Sequence, residues 1–323
     1  MTTSILTVVT DEIPKVYLLQ GYNNFTIEKG LSCLYVFSKN EIMEMENLNL
    51  LTTARVPDDC RTLIITTPSK DFDINTTNAI INYINKGGNI LWCNSAKAIE
   101  QENMPNVNKI LELYGIEPFE LGIIYETNSS SMLYGLPNVI IPKMQYTEVT
   151  KDLYSTGSAV LQNATKININ EEKLEELNIT KHDILVTSSD SIFQNNTENN
   201  EKQSFLVGAE MVKKIDEANN IESKLIIYGE NTFISDFIIN MPIESSYQTN
   251  SPAIMYGKNK ELALNSILYL VNRKEDISAK KGTSTVLYTA TQTQDIIIRV
   301  IIFCVPLLII IIGIIIWGIR RKK

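Results

Sequence analysis

Thr62–Asn94, TLIITTPSKDFDINTTNAIINYINKGGNILWCN, decides the fold class. It opens with an unbroken run of apolar and β-branched residues that Pro68 stops, which reads as a buried strand. An acidic loop carrying Asp71 and Asp73 follows. Ile80, Ile81 and Ile84 then recur at helical spacing, with Asn75 or Thr76 as the helix cap. Gly87 and Gly88 end that helix where a left-handed backbone is needed. NILWCN returns as a second strand, with Cys93 reading as a small apolar residue near its end. Strand, helix and strand joined by short connections specify a parallel sheet with right-handed crossovers.

The same rhythm extends outward on both sides. KVYLLQG is a short buried strand ending at Gly21, and FTIEKGLSCLYVFSKN places Ile27, Leu31, Leu34 and Tyr35 near helical spacing. EIMEMENLNLL reads as a strand, and NMPNVNKILELYGI as a helix stopped by Gly115. Residues from about 120 to 220 are less regular. FELGIIYET, GSAVLQN and HDILVTSS read as short strands, and SIFQNNTENNEKQS as a polar surface loop. KLIIYG is again a buried strand, with ENTF a polar loop after it. GKNKELALNSILYLVNRK reads as an amphipathic helix with Leu262, Leu264, Ile267, Leu268 and Val271 inward. The expected architecture is an α/β domain over residues 1–275, a mostly parallel sheet with helices on both faces and an irregular insertion near 120–220. A polar linker, 276–295, follows.

The chain then changes character. Val300–Ile319 holds twenty residues without a charge, enough for a helix of about 30 Å, the thickness of a bilayer core. A transmembrane helix is therefore expected over 296–319. Pro306 and Gly313 are tolerated in lipid, and Trp317 sits where an interfacial aromatic belongs. Arg299 reads either as a side chain snorkelling to the headgroups or as a charge pairing inside the bilayer. Arg320, Arg321, Lys322 and Lys323 place the C-terminus in the cytoplasm by the positive-inside rule, and so the large domain outside it. MTTSILTVVTDEIPK has neither the charged start nor the apolar core of a signal peptide. A tail-anchored protein with a cytosolic domain is the competing reading.

Charge and composition narrow the function. The chain carries 29 Lys+Arg and 37 Asp+Glu, net −8. Residues 295–323 hold five bases and one acid, which leaves 24 against 36, net −12, for the remainder. Such a domain is repelled by nucleic acid and by anionic lipid. Cys33, Cys60, Cys93 and Cys304 show no metal-ligand or disulfide-framework spacing, and His182, the single histidine, reads as a loop residue. Neither a metal nor a cofactor is expected. GxSxG, HExxH and Walker patterns are absent from the sequence.

Two places keep a ligand or partner edge open. Asp71 and Asp73 follow a strand's C-terminal end, where open α/β sheets bind ligands. The same acids also read as helix-start residues favoured by the dipole. Glu230 and Asn231 follow the last core strand in the same way.

Taken in order, several stretches resemble one family. These are VYLLQG, VPDDCRTLIITTPSKDF, the helix ending in Gly-Gly before NILWCN, MPNVNKILELYGI, KLIIYGENTF, GKNKELALNSILYL and a final span with Pro and Gly closed by Arg-Arg. The set is similar to the GldG-like auxiliary membrane proteins of uncharacterised ABC-type transport systems. The resemblance implies a fold similar to class I glutamine amidotransferases without their catalytic residues. It further implies a non-enzymatic accessory, a protein-interaction or ligand-presenting module, working beside an ABC permease and its ATPase, with no ATP site of its own. It also implies an N-terminal span, so this chain is expected to be a shortened form. One departure matters: Tyr22-Asn23-Asn24 stands where the family more often has His-Gly-Glu, so any ligand of that motif is not expected here. A hydrolase using the edge carboxylates and a structural cell-envelope protein remain the alternatives.

Overall fold

The computed structural model describes residues 13–22, 24–96, 103–195, 201–239 and 251–273, all within the unit Met1–Lys280. The chain runs through β1 (Lys15–Gln20), α1 (Ser32–Asn40), β2 (Glu44–Asn49), β3 (Cys60–Thr66), α2 (Ile74–Asn85), β4 (Asn89–Cys93) and α3 (Pro105–Glu112). The middle region supplies β5 (Ile123–Glu126), β6 (Met132–Leu133), β7 (Leu136–Ile140), β8 (Lys143–Met144), β9 (Leu161–Gln162) and α4 (Glu171–Glu176). β10 (Ile179–Val186), β11 (Ser191–Gln194), β12 (Lys202–Gln203), β13 (Leu206–Asp216), β14 (Ile221–Tyr228) and α5 (Asn259–Leu270) follow.

One large sheet has the order β2-β1-β3-β4-β14-β13-β10-β8. β2, β1, β3, β4 and β14 run parallel to one another. β13, β10 and β8 are then added, each antiparallel to its neighbour, so the sheet is mixed yet mostly unidirectional. Two three-stranded sheets, β12-β11-β5 and β6-β7-β9, come from the middle region.

The parallel strands bury side chains on both faces, as crossover-connected strands must. Val16, Leu18, Ile64, Leu91 and Ile226 pack with Leu34 of α1 and with the apolar residues of α5. Their neighbours Tyr17, Leu19, Leu63, Ile65, Trp92 and Ile227 pack with α2 and α3 on the opposite face. The expected helices on both faces are present.

Several expectations are corrected. The first helix starts at Ser32, because Gly30 takes a left-handed backbone (φ +110°) and Thr26–Gly30 forms a turn instead. The cap of α2 is Asp73, not Asn75 or Thr76. α5 is buried almost all round, with Lys260 and Glu261 half-buried in its first turn, because chain from the middle region covers the rest. Asn259 answers this burial by bonding Val160 N and O and Ala253 O, at 2.8, 2.9 and 2.8 Å. SIFQ is a strand rather than a loop: β11 pairs with β5 and with β12. His182 lies exposed on β10 rather than in a loop.

Among the described residues no helix is long and apolar enough to cross a membrane. The expected span at 296–319, with Arg299, Pro306, Gly313, Trp317, Arg320 and Arg321, lies outside the described residues, as do the linker 276–295 and the basic tail.

Candidate functional site

The C-terminal ends of β1, β3, β4 and β14 form one edge of the sheet. From β1 the chain returns to β2 on one side, and β3 lies on the other, so the topological switch point falls between β1 and β3. Ligands of open α/β sheets bind in that crevice. Here it is filled by the protein's own residues. Tyr22, 2% exposed, turns inward and packs edge-to-face on Phe72 with ring centroids 4.8 Å apart. Its hydroxyl donates to Asp73 and lies 2.7 Å from the Thr76 hydroxyl. Asn24 accepts from Tyr22 N at 3.1 Å and donates to the Thr66 carbonyl. Phe25 N adds a bond to Thr66 Oγ1, at 3.0 Å. Tyr22 and Asn24 thus form a plug that laces the β1 loop to the end of β3.

Asp71 and Asp73 each hold a helix start. Asp71 accepts from Asn106 N, Asn106 Nδ2 and Val107 N at 3.1, 2.9 and 3.0 Å, which caps α3 from across the edge. Asp73 caps α2 through Asn75 N and Thr76 N at 2.8 and 3.0 Å. The Tyr22 hydroxyl, with help from Thr76 and Asn75, holds the Asp73 carboxyl down to about 2. A residue the sequence reading missed completes the set. Asp236 bonds Ser32 N, Ser32 Oγ and Cys33 N at 2.6, 2.6 and 2.8 Å and so caps α1. Helix N-termini are the places where a sheet of this kind would receive an anion. Three of them are already occupied by the chain's own carboxylates. No local signal links Asp236 to Ser32, since they lie 204 residues apart.

Glu230 is the remaining carboxyl of the edge. Gly229 before it approaches Thr165 so closely that a Cβ would stand 2.0 Å from the Thr165 carbonyl oxygen. This brings Glu230 under the surface, 2% exposed. Its two oxygens accept from Thr232 N and Phe233 N at 2.6 and 2.7 Å. Burial outweighs those bonds and pushes its pKa up to about 7. Glu230 lines a cavity of about 250 Å³ with Ser95, Gln162, Asn163, Thr232 and Phe237. Among the described residues, the side chain of Asn231, buried beside it, accepts a single long contact, from Thr232 Oγ1 at 3.5 Å. The structure therefore brings Asp71, Asp73 and Glu230 to one edge, the first two as helix caps and Glu230 bound to the backbone amides of Thr232 and Phe233. Cys93, fully buried at the end of β4, has its thiol pushed well up by burial. Among the described residues no group of three or more His, Cys, Asp or Glu side chains is placed to hold a metal.

Residues 13–123 match the model of a family described as an ABC-type uncharacterized transport system. That segment runs from just before β1 to the first residue of β5, and contains Tyr22, Asn24, Asp71 and Asp73. Among solved structures, the mmIFT52 N-terminal domain aligns with a TM-score of 0.57 at 14% identity, over 79% of this chain and 97% of that one. This is a likeness of fold. A protein assigned as ThuA-like from Parabacteroides merdae aligns more loosely (TM-score 0.42, 10% identity, 80% of this chain and 90% of that one). So does a protein assigned as a GMP synthase component from Thermoplasma acidophilum (TM-score 0.41, 8% identity, 84% and 100%). No curated protein matches the sequence.

Proposed function

We propose that this chain is a non-enzymatic, membrane-anchored accessory subunit of an ABC-type transport system, whose α/β domain acts outside the cytoplasm as a protein-interaction module. The observation that carries this reading is the coincidence of two features in one segment. Residues 13–123 match the transport family, and the ligand edge of that same segment is closed by Tyr22, Asn24, Asp71 and Asp73. A sheet whose switch-point crevice and helix starts are self-occupied keeps its shape without presenting a reactive group, which suits a docking body. The anchor rests on the sequence of residues 296–319 and the four terminal bases. The finer family resemblance, to GldG-like proteins on a non-catalytic glutamine amidotransferase-like fold, rests on the ordered motifs. The permease and ATPase subunits are the partners it implies.

One observation favours the hydrolase alternative. Glu230 has a pKa near 7 beside a polar cavity, the condition of a general acid or base. Against it, both carboxyl oxygens are already engaged by backbone amides, and the described residues lining the cavity add no second carboxylate, histidine or cysteine. Purification from membranes in mild detergent tests the transport reading. Permease and ATPase subunits are expected to accompany the chain, and their consistent absence would remove its support.

A further inference from the structure

Residues 50–59 cross from β2 to β3 without forming a helix. A groove of about 670 Å³ is left between this connection and α2. Val56, Ala79 and Tyr83 form its buried floor. Along one wall Asn75, Asn78 and Asn82 fall at i, i+3 and i+7, a single stripe of the helix, and Lys86 continues it. All four are exposed, and the three side-chain amides make no hydrogen bond to any described residue. The charges lining the groove are Arg55, Arg61 and Lys86 against Asp58. A net positive groove thus lies on a domain that is otherwise strongly acidic.

Each asparagine amide offers one donor group and one acceptor, the complement of a peptide unit. The stripe from Asn75 to Lys86 is about 16 Å long at the helical rise, which matches roughly five residues of extended chain at 3.3 Å each. Arg55 and Lys86 both reach Asp58, at 3.4 and 3.8 Å. Such exposed pairs are weak and exchange readily for another carboxylate. A long polyanion is disfavoured by the charge of the surrounding domain, whereas a short acidic stretch meets only the groove.

We propose that this groove binds an extended acidic segment of a partner protein, with its backbone held by Asn75, Asn78 and Asn82 and its carboxylates by Arg55 and Lys86. The inference deepens the interaction-module reading but is drawn from the groove alone. Copurification tests the transport assignment, and a peptide assay tests the groove, so either can fail without the other.

The assay is fluorescence anisotropy on the full chain in detergent micelles. The probe is a fluorescein-labelled peptide of alternating Glu and Ser, with a Lys and Ser peptide and single-stranded DNA as controls. Saturable binding of the Glu peptide is expected, at least about tenfold tighter than either control, or roughly 1.4 kcal/mol. Arg55→Glu with Lys86→Glu is expected to weaken it about tenfold. Asn78→Ala with Asn82→Ala is expected to weaken it severalfold, and this loss persists at about 1 M salt, where the Debye length is about 3 Å. These positions are exposed, so unchanged melting curves check that each variant folds. Equal binding by wild type and both double variants would overturn the proposal. So would a Lys peptide or DNA that binds as tightly as the Glu peptide.

Discussion

At Asp73 the hydrogen bonds from Tyr22, Thr76 and Asn75 favour the ionised carboxylate, and its pKa falls from an ordinary 3.8 to about 2. Because the folded value is the lower one, the group stabilises the fold above about 4, and this contribution is lost as pH falls through 2. Asp73→Ala is therefore expected to cost about 1–2 kcal/mol at neutral pH, with the melting temperatures of variant and wild type converging toward pH 2. Glu230 behaves in the opposite sense. Its folded value, about 7, lies above the ordinary 4.5, so its contribution is present below 4.5 and is lost as pH rises through 7. Glu230→Gln is expected to flatten the fall in melting temperature between pH 5 and pH 7, measured by calorimetry over that window. A wild-type melting curve that ignores this window would contradict the buried placement. The sequence placed Asp71 and Asp73 beside a helix start, and of its two readings the helix-start one fits the geometry. It had no means of showing that Asp71 caps the later helix α3, or that Asp236 reaches α1, because a cap drawn from a distant loop leaves no local spacing.

Among the elements, α5 separates what periodicity reveals from what it hides. Leu262, Leu264, Ile267 and Leu268 announced a helix with an inward face, and the helix is there. Its second buried face carries Asn259, Asn265 and Ser266, polar residues that a pattern reading assigns to solvent. They are buried because each finds a backbone or side-chain partner: Asn265 bonds Val149 O at 3.0 Å, and Ser266 bonds Leu262 O at 2.7 Å. Asn259→Ala strips the partners from Val160 and Ala253 inside the core. It is expected to cost about 2–3 kcal/mol, whereas Lys260→Ala in the first turn should stay within about 0.5 kcal/mol. Denaturant titration of the two variants checks the contrast. The short strands of the middle region were legible only in part for a related reason. β11 pairs with β5, more than sixty residues earlier in the chain, and β12 pairs with β11 in turn.

For the molecule as a whole, the parallel half of the sheet was legible because each strand-helix-strand unit is local. The join between β4 and β14 was not, since that parallel pairing brings together residues more than 130 positions apart. The acidic domain and the basic tail give the molecule a polarity that bears on its placement in the cell. Protease added to intact cells is expected to degrade residues 1–290, and full protection of that region would contradict the extracytoplasmic placement. The proposed role is that of a docking body with a self-closed edge. Purification of the wild-type chain and of Glu230→Gln from membranes in mild detergent, with identification of the bound proteins, tests it most directly. Permease and ATPase subunits are expected to accompany both chains equally. A chain that purifies alone and carries a hydrolytic activity abolished by Glu230→Gln would contradict it.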